Sequence, residues 1–258
     1  MPPLQYASLM DTMARMNLRA DASRYFFGYI WWVLEPLLYV AVFYVVFNVI
    51  LDSRRLDFLA FLMCGKLAFI WFSKSVNQAS NSILANRGLV GKINVPKTLF
   101  PLAVIQEGLY KQVTVFLLLF AVLLMYGYRP SATWLALVPI VGVNYLMIVA
   151  CSLVGACLVC FMRDFSMVIG LMMIFLMFTS GIFWDVRALG DPAKTELLLA
   201  VNPLAFILDA YRQVLMYNQA PDWLHLGVVG IGSGAVCLIV GRAMHRGNQF
   251  LARRVLIS

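Results

Sequence analysis

The sequence predicts an all-α membrane protein with six transmembrane helices, an N-terminal amphipathic interface helix and short re-entrant helices between spans 5 and 6. Three observations carry that expectation. Of 258 residues, 62% are hydrophobic and only 12% charged, whereas ordinary soluble domains carry about 25% charged residues. Charges so scarce cannot cover a water-facing surface, which excludes a soluble globular enzyme, and so much apolar surface excludes disorder. Apolar runs long enough to cross a bilayer, about 20 residues each, recur six times. The net charge of +8 gathers in the segments between them, as topogenic charge beside anionic lipid does.

Residues 1–28 are expected to form a cytoplasmic interface helix. Leu9, Met13, Met16 and Ala20 recur at helical spacing, while Asp11, Arg15 and Arg19 fall on another face. A helix so patterned lies in the membrane interface with its Arg side chains among lipid headgroups. It is not a signal peptide, because no short apolar core precedes a small-residue cleavage site. Residues 29–258 form the six-helix domain. The spans read as Tyr29–Leu51, Phe58–Val76, Leu102–Tyr126, Trp134–Phe161, Phe165–Trp184 and Leu224–Gly241. The fourth and fifth are joined only by the polar turn around Arg163-Asp164. Six spans put both termini on one side. That side holds 13 of the 20 basic residues, which places it in the cytoplasm.

Two connections are too long to be bare turns. Residues 77–100 are cytoplasmic; Asn77 to Ser82 continue the second span as a helix, and Arg87-Gly88 and Val95-Pro96-Lys97 punctuate the rest of the connection. The external segment 185–222 holds two apolar stretches, 197–201 and 204–217, that Asn202-Pro203 breaks apart. Leu204, Ile207, Leu208, Tyr211 and Leu215 share one helical face, with Asp209, Arg212 and Gln213 off it. Two short helices dipping into the outer leaflet satisfy this pattern, and non-helical backbone at that depth survives only inside protein or beside a wet cavity.

Chemistry-bearing motifs are absent from the sequence. Gly88-Leu89-Val90-Gly91-Lys92 has the wrong spacing for a phosphate loop and is followed by Ile93, so the chain is not expected to hydrolyse nucleotide unaided. His225 and His245, the two histidines, sit near opposite ends of the last span. No metalloprotease or serine-hydrolase signature occurs. The five cysteines lie in apolar stretches and read as small buried hydrophobes. No catalytic residue, metal site or cofactor is therefore assigned to this chain.

Two features suggest a substrate path. Tyr39, Phe43, Tyr44 and Phe47 recur at three- and four-residue spacing along the first span, an aromatic stripe on which sugar rings can stack. Lys66 lies about two turns into the second span, where a charge is costly and usually faces a cavity. Ordinary helix packing and snorkelling to the interface are the plainer alternatives.

The stretch Arg24-Tyr25-Phe26-Phe27-Gly28-Tyr29-Ile30-Trp31-Trp32-Val33-Leu34-Glu35-Pro36-Leu37 resembles the opening of the membrane subunits of type 2 ABC exporters, the permeases that move bacterial polysaccharides and teichoic acids. Gly65 and Trp71-Phe72 match the family's second span. Asn202-Pro203 followed by Arg212 matches its external helix, and Arg163-Asp164-Phe165 its short internal turn. Ser180-Gly181-Ile182-Phe183-Trp184 resembles the close of its fifth span. Gly181 replaces the usual Pro, and Lys66 stands where an apolar residue is usual.

The resemblance implies a homodimer of six-helix subunits paired with two copies of a separate ATPase, which uses ATP and Mg. A lipid-linked polysaccharide passes between the two permease copies, with O-antigen favoured over capsule. In that frame Arg87, Arg163 and Asp164 lie in connections that dock the ATPase. Arg15, Arg19 and Arg24 meet lipid headgroups and help admit the pyrophosphate of the lipid carrier. The expected location is the bacterial inner membrane. Alternatives are a type 2 exporter of teichoic acid or drugs and, from another class, a membrane-bound glycan-processing enzyme.

Overall fold

A computed structural model describes residues 2–24, 26–50, 57–92 and 95–257. The described residues are helical apart from turns and connections. In chain order the helices are α1 (Pro3–Arg24), α2 (Trp31–Tyr44), α3 (Phe58–Ala85), α4 (Arg87–Val90), α5 (Leu99–Met125) and α6 (Leu137–Phe161). They continue with α7 (Phe165–Thr179), α8 (Pro192–Val201), α9 (Pro203–Leu215), α10 (Trp223–Arg246) and α11 (Asn248–Ile257). The expected spans correspond to α2, α3, α5, α6, α7 and α10. Among the described residues four helices are each long and apolar enough to cross a membrane; counting the bent pairs α1–α2 and α8–α9 as single spans raises the number to six, a set that holds α8–α9 in place of α7. α7 has 15 residues and rises about 22 Å, short of the ~30 Å hydrocarbon layer.

α3 is the axis of the bundle. It packs against α2, α5, α6, α7 and α9, and most of its residues are buried. Its polar end stays helical past Val76, because Asn77, Asn81 and Asn86 fold their amides back onto the carbonyls of Ser73, Asn77 and Ser82. α6 approaches closely at Gly155, where an added Cβ would lie 2.1 Å from Ser80 Oγ. An aromatic chain fills the middle: Trp71 meets Phe116 and Tyr145, and Phe116 meets Phe120 and Tyr211.

Three elements depart from the sequence reading. α1 buries Ala14 and Ala22, and half-buries Tyr6, Met10 and Asp21, against α5. Of the face read as apolar, Leu9 and Met13 are half-buried, whereas Met16 and Ala20 are exposed. Specific partners set the face: Tyr6 meets Thr98 at 2.9 Å, and Tyr110 donates to Asp11. The fifth span leaves helical geometry after Thr179, since Gly181 turns the chain at φ +69°, a conformation proline cannot take. After α2 the backbone widens to π geometry over Val45–Ile50, a departure from the regular 3.6-residue turn on which the aromatic stripe was read.

The pair α8 and α9 meets at a bend of 113°. Asn202 caps α9: its Oδ1 accepts from Leu204 and Ala205 N–H at 3.1 Å, and its Nδ2 donates to Ser180 Oγ at 3.0 Å. Pro192 and Pro203 begin the two helices, where a missing N–H costs nothing. α9 is enclosed on all sides, and the three polar residues placed off its apolar face are buried with it. They are satisfied internally: Asp209 accepts from Arg187 and from Gln213, and Arg212 donates to backbone carbonyls.

The ends of the chain meet at one end of the bundle. α1 reaches Thr98 at the start of α5, while Lys97 N–H donates to Asn248 Oδ1 at 2.8 Å and Phe250 packs on Phe161.

Candidate functional site

The 86–98 connection is built by burial of a lysine. Lys97 is 3% exposed and donates from Nζ to the Val90 carbonyl at 3.1 Å, tying α4 to the start of α5. Burial pushes its ammonium below the usual lysine range. The tie leaves Arg87 exposed on α4. Beside it runs the turn between α6 and α7, with Arg163 and Asp164 both exposed. Arg87 and Arg163 line one open cleft of about 320 Å³ with Asn81, Leu84 and Ser166. Two arginines from separate connections therefore present a basic hollow at the end of the bundle that carries both termini. Asp164 lies in the same turn but does not line that cleft.

Lys66 sits in an apolar cage. It is 4% exposed, with Nζ 3.1 Å from Met177 Sδ and 5.5–6.0 Å from the ring centres of Tyr39, Phe69 and Phe183. Aromatic faces and a thioether are soft partners for a cation. Tyr39 reaches this cage from α2 while remaining half exposed, and Tyr44 is partly buried against the core. The side chains of Phe43 and Phe47 lie outside the described residues. Arg15, Arg19 and Arg24 are all exposed on α1, with Arg15 paired to Asp11 at 2.8 Å. The structure does not bring these three together with Lys66 or with the Arg87–Arg163 cleft.

Sequence reasoning marks Arg212 as part of a motif but not as the residue that holds α9 in place. Arg212 is 1% exposed and donates to the carbonyls of Phe61 (3.3 Å), Gly181 (2.7 Å) and Ile182 (3.1 Å). Its guanidinium lies 3.6 Å from the Phe61 ring centre. It therefore joins α9, α3 and the turn after α7 in one contact. Gly65 makes room for it, since a Cβ there would fall 2.3 Å from Nη2. Gly65, Ser180-Gly181-Ile182 and Arg212 are separate motifs in the sequence and one device in the fold; no local pattern links them. Outside it, Asp209 on α9 holds Arg187 in a two-nitrogen contact of 2.9 and 3.1 Å, and this bond raises the Arg187 pKa.

Nothing among the described residues groups three or more His, Cys, Asp or Glu side chains as a metal site. The geometry offers a basic cleft, a caged cation and a pinned helical hairpin.

A family model described as ABC-2 type transporter matches residues 12–216. The O-antigen export system permease protein RfbA of Klebsiella pneumoniae is 26% identical over 250 residues, covering 96% of this chain and 95% of the relative. The protein of the same name from Myxococcus xanthus is 26% identical over 220 residues, 84% of each chain. The polysialic acid transport protein KpsM of Escherichia coli is 25% identical over 248 residues, 93% of each.

Proposed function

Because the chain belongs to the ABC-2 type transporter family of multi-pass membrane permeases, we propose that it is the membrane subunit of an ATP-driven exporter of lipid-linked cell-surface polysaccharide. O-antigen is the favoured cargo, since two of its relatives are O-antigen export permeases; the polysialic acid transporter supports capsule as the second reading. The chain works as a homodimer in the bacterial inner membrane with both termini in the cytoplasm. Two copies of a separate ATPase bind ATP and Mg and supply the energy.

The observation that carries this reading is the cleft shared by Arg87 and Arg163. A basic hollow between two short connections suits an acidic or carbonyl-rich docking element, and motion imposed there reaches the bundle through α3 on one side and the α6–α7 turn on the other. Arg163 and Asp164 transmit the stroke. The polymer passes between the two copies along the α2 side, where Tyr39 is exposed and Lys66 waits behind it. Exposed apolar side chains along α7, such as Leu171 and Phe175, supply further surface for the second copy or for lipid. Arg15, Arg19 and Arg24 hold α1 at the headgroups and draw in the carrier pyrophosphate.

Depleting the chain in its own cells tests the proposal. Lipid-linked polymer accumulates on the cytoplasmic face and surface polysaccharide falls, both reversed by a plasmid copy. Normal surface polymer after complete depletion rejects it.

A further inference from the structure

A second cavity lies on the side of the bundle that carries both termini, away from the Lys66 cage. About 350 Å³ of space is enclosed between the end of α1, the start of α2, the middle of α3 and the first half of α5. Three indoles, Trp31, Trp32 and Trp71, line it. The exposed aromatics before α2 connect to this wall directly: Phe27 stacks parallel on Trp31 and Tyr29 meets Trp32 edge-on. Phe26 is fully exposed and Ile30 63% exposed beside them. Exposed rings at the end of an apolar span sit at the headgroup level of a bilayer, so the cavity opens where lipid headgroups are.

Its charges are balanced in an unusual way. Lys111 donates to Asp21 at 2.7 Å and to Glu107 at 2.8 Å, and lies 5.5 Å from the Trp32 ring centre. Lys74 pairs with Glu35 at 2.5 Å. Three carboxylates thus face two ammonium groups, which leaves one negative charge in surplus. An inorganic phosphate or pyrophosphate is repelled by that surplus, whereas a zwitterionic headgroup adds no net charge and brings an ammonium to the carboxylates. Carboxylates beside aromatic faces are the surroundings an ammonium prefers.

The deep end asks for an acceptor. Trp71 and Gln112 are 3% and 4% exposed, and Trp71 Nε1 and Gln112 Nε2 have no hydrogen-bond partner among the described residues. Leaving such a donor buried and unbonded is costly, and a phosphate ester oxygen relieves it. Gly108 lets α5 approach α3 closely beside this end, because a Cβ there would stand 2.7 Å from Ser75 Oγ and 3.8 Å from Trp71 Nε1.

We propose that this cavity binds the phosphoethanolamine headgroup of a membrane phospholipid, its ammonium among Asp21, Glu35 and Glu107 and its phosphate oxygens toward Lys74, Trp71 and Gln112. The bound lipid ties α1 to α2 and α5 at the membrane surface. The proposal is independent of which polymer the chain exports.

The test uses the full chain purified in detergent. Native mass spectrometry is run with phosphatidylethanolamine, phosphatidylglycerol and phosphatidylcholine at equal concentration, and soluble phosphoethanolamine is titrated against tryptophan emission. The expected result is retention of phosphatidylethanolamine at least fivefold over the other two lipids, with a saturable emission change from phosphoethanolamine. Glu35→Gln with Glu107→Gln lowers that affinity at least tenfold. The lipid comparison on the unaltered chain stands if the double variant does not fold. Equal or stronger retention of phosphatidylglycerol or phosphatidylcholine overturns the proposal. So does an emission change produced by free hexose and not by phosphoethanolamine, which marks a sugar pocket, and so does the absence of any saturable change.

Discussion

Replacing Gly65 with alanine places a methyl group 2.3 Å from Arg212 Nη2 and 3.1 Å from its Cζ. The guanidinium cannot step aside without loss. Three carbonyls and the Phe61 ring hold it, and displacement breaks at least the bond from Nη2 to Ile182 while misaligning that from Nη1 to Gly181. Hydrogen bonds from a charged donor contribute about 1.5–3 kcal/mol each, so two of them are worth roughly 3–6 kcal/mol. Alanine returns about 1 kcal/mol through its better helix propensity. The loss wins, and a net destabilisation of about 3 kcal/mol is expected, large among single substitutions. At roughly 2–4 °C per kcal/mol for a chain of this size, the midpoint falls by about 6–12 °C.

Thermal unfolding in detergent, followed by loss of the monodisperse peak, measures that shift. Gly142→Ala in α6 is the internal control, because nothing lies within 4 Å of its added Cβ; it is expected to be neutral or to raise the midpoint slightly. The reasoning also demands non-additivity. In an Arg212→Ala background, which already lacks the three guanidinium bonds, the further step Gly65→Ala costs little, giving a coupling of at least about 1 kcal/mol. Gly65→Ala with an unchanged midpoint, or costs that simply add, refutes the account of Arg212 as the pin.

Three further outcomes are expected of the same structure. Gly155→Ala drives a methyl to within 2.1 Å of Ser80 Oγ and 3.0 Å of its Cβ; it lowers the unfolding midpoint, and Ser80→Gly in the same chain restores most of it. Asn202→Ala removes the cap of α9 and lowers stability by about 1 kcal/mol, whereas Asn202→Asp keeps the acceptor for Leu204 and Ala205 and loses less, as paired unfolding curves would record. Arg87→Glu with Arg163→Glu leaves the midpoint within a degree or so, since both side chains are exposed, yet cuts polymer-stimulated ATP hydrolysis of the assembled complex at least tenfold; unchanged hydrolysis contradicts docking at that cleft.

The apolar spans are legible in the sequence because hydropathy reports burial in lipid directly, and Asn202-Pro203 marks its helix break because both residues act locally. The hidden part is long-range. Arg212 reads in sequence as the polar end of an amphipathic helix, and only folding shows that α9 is enclosed and that Gly65 and the 180–182 turn surround its guanidinium. The buried face of α1 is only half legible for the same reason: partners on and beside α5, chiefly Thr98 and Tyr110, rotate the helix away from its most hydrophobic side. Lys66 stands out as costly in an apolar run, but spacing along α3 cannot reveal that Tyr39, Phe69, Met177 and Phe183 converge on it. Arg87 and Arg163 belong to separate connections in the sequence, and their shared cleft is a product of helix packing.

The most direct test of the account is to purify the chain from its native membrane under mild detergent and identify what comes with it. The account predicts an ATPase subunit in equal copies with two permease chains, its hydrolysis stimulated by lipid-linked polysaccharide. A chain that purifies without any ATPase contradicts it.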